Sequence, residues 1–167
     1  MAQVLTAAEY AAIARKMALP TQAFIDGAFV CSVSGNTFQT TNPATGEVLA
    51  EIAACDARDV DIAVARAKAA FEDGRWHRRS PGQRKATLLR FADLLEQHAH
   101  ELAVMESLDS GKPIRECQAT DIPETIHTIR WHAELIDKIY DSTAPVGSNA
   151  LSLVVREPIG VVGLVLP

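Results

Sequence analysis

The apolar positions of the chain change period repeatedly, and each change predicts a different element. Thr6-x-x-Glu9 spells a capping box with Leu5 and Tyr10 placed as a hydrophobic staple, so Thr6 to about Ala18 reads as a short helix. After Pro20 the pattern becomes extended. "AFIDGAFV" sets Asp26-Gly27 between apolar pairs, the signature of a tight hairpin whose turn needs positive φ. A second ribbon follows, with "SGN" and "NPATGE" as turns and strands at Thr37 to Thr41 and Glu47 to Ala53.

Helical periodicity then takes over. Asp56 caps a helix that carries Val60, Ala63, Val64, Ala67 and Phe71 on one face and ends at Gly74. Ser80, Pro81 and Gln83 open the next, whose stripe of Leu88, Phe91, Leu95, Leu102 and Met105 runs on to "DSGKP". A third puts Ile122, Ile126, Ile129, Ala133, Ile136 and Tyr140 on one face, with Pro123 tolerable only in its first turns. From Ala144 the chain is extended again. Leu151, Leu153 and Val155 alternate with Ser152, Val154 and Arg156, whereas the closing "VVGLVLP" does not alternate and reads as a parallel strand buried on both faces. The predicted class is α/β, with small ribbons, three main helices, an extended arm and one core strand.

Composition narrows the function. The chain has 167 residues, 48% hydrophobic and 22% charged, enough for one domain with a core. A net charge of −5 argues against nucleic acid as a partner. No apolar run reaches the roughly 20 residues of a membrane helix, and the first residues lack a signal-peptide pattern. Cys31, Cys55 and Cys117 are odd in number and show no metal-type spacing, so a reducing, cytoplasmic location is expected.

Several constellations read as structural. "GRWHRRSPGQRK" clusters basic residues around Trp76 but is a solvated loop entering a capped helix. His98 with His100, and His127 with His132, lack the i, i+4 spacing of two ligands on a helix. Cys117 has no evident base partner and reads as a packed thiol. The two glycines of "GVVGLVLP" do not make a phosphate-binding loop. Asp121 and Glu124 stand on nearly the same face at a helix start, where carboxylates complement the dipole.

Taken together, "FIDGAFV", "NPATGEVLAEIA", "DVDIAVARAKAAF", "LLRFADLLEQHAHELAVMESLDSGKP", "IRWHAELIDKIY" and "VVREPIGVVGLVLP" resemble, in order and spacing, the N-terminal portion of the NAD(P)-dependent aldehyde dehydrogenases. The pattern is similar to the members acting on aminoaldehydes such as γ-glutamyl-γ-aminobutyraldehyde. The resemblance implies an N-terminal helical extension at 1–20, the first part of the cofactor domain at 21–143, an oligomerisation arm at 144–158 and the first strand of a Rossmann-like core at 159–167. It implies a homo-oligomer, dimer or tetramer, because an arm with an open edge needs a partner.

The resemblance also implies site residues. Val165, Leu166 and Pro167 would lie along NAD or NADP through their backbone. Thr40 and Thr41, through carbonyls, and Asp109, through its carboxylate, match positions that hold a monovalent cation in some relatives, which suits an oxygen-seeking ion. Asp121 and Glu124 match a substrate entrance, where carboxylates would attract an ammonium-bearing aldehyde.

In such enzymes a cysteine thiolate attacks the aldehyde, hydride passes to NAD, and a glutamate-activated water releases the acid. Those motifs are expected after Pro167, and none of the three cysteines matches the nucleophile, so no catalytic residue is assigned. The 167-residue segment alone is expected to be inactive and prone to pair with other copies. The alternative is a non-enzymatic, truncated paralogue or interaction module that pairs with full-length subunits.

Overall fold

The computed structural model describes residues 4–166; Pro167 and the first three residues lie outside the description. The capping signals read in the sequence set the helix starts. Helix α1 (Ala7–Lys16) begins with Thr6 Oγ1 accepting from the Glu9 backbone N–H while the Glu9 carboxylate accepts from the Thr6 N–H. Tyr10 is buried, and its hydroxyl reaches the Leu5 N–H. The first hairpin pairs β1 (Ala23–Ile25) with β2 (Ala28–Val30) across Asp26 and Gly27, both at positive φ, and stacks Phe24 edge-on against Phe29. In the second, β3 (Thr37–Thr41) pairs with β4 (Val48–Ala53), with a bulge opposite Thr40 and Thr41.

Helix α2 (Ala57–Glu72) carries the same reciprocal cap between Asp56 and Asp59. Its apolar stripe is not covered. Val60 and Val64 are exposed, as is Ile62 beside them. The core lies instead among the later helices: Ala92 of α3 (Pro81–Gln97), Ala103 and Val104 of α4 (Ala99–Ser110), and Ile126 and Ala133 of α6 (Ile122–Leu135) are buried. Fully buried alanines let α3 and α6 approach closely, and α1 lies against α4.

Two departures from the sequence expectation follow from backbone chemistry. The single long helix predicted from Ser80 to Gly111 is two, α3 and α4, because His98 leaves helical geometry at φ −103°, ψ 18°. The helix predicted to begin near Ile122 is preceded by a short turn, α5 (Ile114–Glu116), and a π-helical turn, Cys117–Asp121. Pro123 offers no backbone N–H, so a carbonyl one turn earlier loses its partner, and the Ile122 N–H reaches back five residues to the Cys117 carbonyl. Helix α6 ends at Leu135, before the predicted Ile136 and Tyr140.

The arm forms a hairpin, β5 (Ser142–Ala144) with β6 (Ser152–Val154). All three sheets are two-stranded and antiparallel among the described residues. Residues 155–166 are in no strand. A parallel strand exists only beside a neighbour, and none of the described residues supplies one, so Ile159, Leu164 and Val165 stand exposed.

Candidate functional site

The β3–β4 ribbon and α4 meet at Thr40 and Asp109. Thr40 Oγ1 donates to Asp109 Oδ1 at 3.0 Å across 69 residues of sequence, so the fold joins two of the three candidate cation residues through a side-chain hydroxyl. Thr41 follows on the ribbon, where the register shifts and Leu49 of β4 is the extra, unpaired residue. Below them lies an open cleft of about 320 Å³ lined chiefly by Leu49, Ile52, Leu102 and Met105. These donors are neutral oxygens and one carboxylate, which fits a singly charged, oxygen-seeking ion. Among the described residues no group of three or more His, Cys, Asp or Glu gathers as a metal centre.

A second site surrounds the π turn. Asp121, its last residue, is half-buried, and Glu124 lies exposed in the first turn of α6. The Lys112 ammonium donates to Asp121 Oδ1 at 2.7 Å and lies 2.6 Å from Oδ2. That hydrogen bond, first among its causes, holds the Lys112 pKa above the ordinary lysine value. The Lys112 main chain is fixed as well: its carbonyl accepts from Ser107 Oγ at 2.7 Å, and its N–H donates to Ser110 Oγ at 3.2 Å. Fully buried Cys117 packs beneath this loop, and burial pushes its thiol pKa up. An adjoining cleft of about 390 Å³ runs along Gln118, Ile122, Ile126 and Arg130.

The cofactor candidates are at the far end of the chain. Val165 and Leu166 are almost fully exposed, at 98% and 78%, with no ladder bonds on their backbone. Backbone N–H and C=O groups outside any strand fit a contact along a dinucleotide. Pro167 lies outside the described residues. Among the described residues, Val165 and Leu166 line neither of the clefts above.

The remaining chemistry is structural. Cys55 is exposed, but desolvation and the neighbouring Asp59 and Asp56 carboxylates raise its pKa. The basic loop after α2 spends Arg75 on Asp73 at 2.6 Å. Arg130 ties α6 to Asp93 and Glu96 of α3 at 2.9 and 2.6 Å.

The profile of the aldehyde dehydrogenase family matches residues 29–167. The chain belongs to the aldehyde dehydrogenase family. Aminoacetaldehyde dehydrogenase of Pseudomonas aeruginosa is 71% identical over all 167 residues. NADP/NAD-dependent aldehyde dehydrogenase PuuC of Escherichia coli is 44% identical over 92% of the chain. The chain spans 34% and 31% of these two relatives, about a third of their length. Among solved structures, an indole-3-acetaldehyde dehydrogenase of P. syringae, in complex with NAD+ and IAA, superposes with a TM-score of 0.91 at 44% identity. The γ-glutamyl-γ-aminobutyraldehyde dehydrogenase of Burkholderia cenocepacia superposes equally well at 42% identity. These two matches cover 94% and 93% of the chain, and 32% of each neighbour.

The resemblance drawn from the sequence is thus correct at the level of family, and the α/β assignment is that of the N-terminal part of these folds. Sequence reasoning missed Lys112. It stands nine residues before Asp121, and only the loop at Gly111 and the π turn bring the two together. An ion pair made across a change of helical period leaves no i, i+4 signal to read.

Proposed function

We propose that this chain forms the first part of the cofactor domain, at 21–143, and the oligomerisation arm, at 144–158, of an NAD(P)-dependent dehydrogenase that oxidises an aminoaldehyde to its carboxylic acid. The helical extension at 1–20 precedes these parts, and the segment at 159–167 begins the Rossmann-like core. The observation that carries the reading is 71% identity, without loss of coverage, to an aminoacetaldehyde dehydrogenase. Burial supports it too, since the stripe of α2 and the segment from Ile159 to Leu166 are apolar faces awaiting cover. Three free cysteines suit a reducing compartment such as the cytoplasm.

When bound, the nicotinamide cofactor accepts the hydride released as the aldehyde is oxidised. Val165, Leu166 and Pro167 hold it by backbone contacts at the end of the core strand. Thr40, Thr41 and Asp109 would hold a monovalent cation between the β3–β4 ribbon and α4. Glu124 and Asp121 stand at the substrate entrance and attract the ammonium group of the aldehyde. The β5–β6 hairpin offers an open edge to a second copy, giving a dimer or tetramer.

This segment supplies binding and assembly, and the chemical step lies elsewhere in the enzyme. Two of its cysteines, Cys55 and Cys117, have raised pKa values, the opposite of what an attacking thiolate needs. The test is kinetic. In the complete enzyme, Glu124→Gln raises KM for an aminoaldehyde about three- to tenfold and leaves a neutral aldehyde of the same length unchanged. Equal effects on both substrates remove Glu124 from the entrance. NAD(P)-dependent aldehyde oxidation by the 167-residue chain alone refutes the division of labour.

A further inference from the structure

The ion pair between Lys112 and Asp121 changes the charge that an approaching substrate meets. Asp121 is held by an ammonium 2.6–2.7 Å from both carboxylate oxygens, so the pair is neutral as a unit. Glu124, three residues on and exposed, has no ion-pair partner among the described residues. Lys112, Asp121 and Glu124 together therefore carry −1 and not the −2 that the two carboxylates suggest, and Arg115 and Glu116 beside the turn pair with each other. Lys112 is also built into place, with its N–H and carbonyl both fixed by serine hydroxyls of α4. Its position does not depend on the ion pair alone.

We infer that Lys112 is a specificity-determining residue that masks Asp121 and so limits the preference of this entrance for cationic aldehydes. The inference rests on the entrance reading of Asp121 and Glu124 proposed above. An ammonium-bearing substrate approaching this turn meets one unpaired carboxylate and a lysine of its own sign beside it. The lysine lowers capture of the cation in solution while leaving the bond-making steps untouched, because it contacts Asp121 and not the reacting atoms.

The test sets four forms of the complete enzyme against one cationic aldehyde and one neutral aldehyde of equal length. Net charge at the entrance is −1 in the wild type, −2 in Lys112→Met, 0 in Asp121→Asn and −1 again in the double variant. The ratio of kcat/KM for the cationic over the neutral aldehyde should follow that order. Lys112→Met raises the ratio about three- to tenfold and Asp121→Asn lowers it by a similar factor. The double variant returns to the wild-type ratio. Lys112→Arg keeps it throughout. The change resides in KM with kcat preserved, and added salt shrinks it, which loss of a merely structural tether does not reproduce.

A ratio in Lys112→Met equal to or below wild type overturns the masking role, as does a double variant that fails to return. Should Lys112→Met not fold, Asp121→Asn decides: an unchanged ratio there overturns the inference. Glu124→Gln separates the two levels of the argument. If it shifts the ratio while the Lys112 series does not, only the masking fails; if neither shifts, the entrance reading falls with it.

Discussion

The Asp59 carboxylate accepts the backbone N–H of Val33 at 2.8 Å through one oxygen and that of Asp56 at 2.9 Å through the other. A single buried side chain thus closes the cap of α2 and pins the loop that leaves the first hairpin. Asp59→Ala leaves both N–H groups without an acceptor and should lower stability by about 2–4 kcal/mol. Asp59→Asn, which keeps one oxygen acceptor, should recover part of that loss. Chemical denaturation of the two variants checks it, and equal midpoints for Asp59→Ala and wild type would show that the bridge contributes nothing.

Gly111 ends α4 in the left-handed region at φ 73°, with its N–H on the Ser107 carbonyl. A Cβ there would stand 2.9 Å from the Pro43 ring, in the turn that carries the β3–β4 ribbon. Gly111→Ala combines left-handed strain with a collision against a rigid ring and should cost about 2–3 kcal/mol. Gly74→Ala has similar strain at φ 77°, but its Cβ meets only the side chain of Arg78, which can swing away. Its cost should stay near 1–2 kcal/mol. Thermal melts that rank the two variants in the opposite order would contradict the distinction.

The contact between α3 and α6 should be sensitive to acid. Lys85 reaches Glu134 at 2.6 Å and Asp137 at 3.2 Å, while Lys138 holds the same two carboxylates from the other side. Hydrogen bonds lower both carboxyl pKa values, chiefly from Lys85 for Glu134 and from Lys138 for Asp137. In the window between lowered folded values and ordinary unfolded ones, the unfolded chain binds more protons, so stability rises with pH. The contribution is complete above the ordinary values of 4.5 and 3.8 and is lost as pH falls through the folded ones. The melting temperature should drop below about pH 4.5, and Lys85→Met should flatten that drop while leaving other acid-sensitive caps in place. An identical slope in wild type and variant would exclude the cluster as a source.

Legibility followed the reach of the interactions. Thr6 with Glu9, Ser80 with Gln83 and Asp26 with Gly27 act within four residues, so the sequence displays cause and effect together. The break at His98 has no comparable marker: its neighbours carry a continuous apolar stripe, and only the packing of α3 on α6 and of α4 on α1 distinguishes the two halves. Pro123 was visible, but its consequence was not, because a missing donor can end a helix, kink it or widen one turn. The closing apolar run reads as a buried parallel strand, yet residues 155–166 form none: a strand is a property of two segments, and no described residue pairs with this one. At the candidate site, both the hydroxyl contact of Thr40 with Asp109 and the pairing of Asp121 with Lys112 became evident only in three dimensions.

The wide turn at Cys117–Asp121 also has an evolutionary arithmetic. A five-residue reach accommodates one residue more than an α turn, so the helical faces before and after it are offset by roughly 100° about the axis. Deleting a single residue there would turn Asp121 and the start of α6 by roughly 100° relative to the loop that holds Lys112, without altering either amino acid. Two homologues could then share every charged residue of this stretch and still differ in which carboxylate is left bare. Insertions and deletions in this one turn, more than substitutions, are where divergence of charge selectivity in close relatives should be sought.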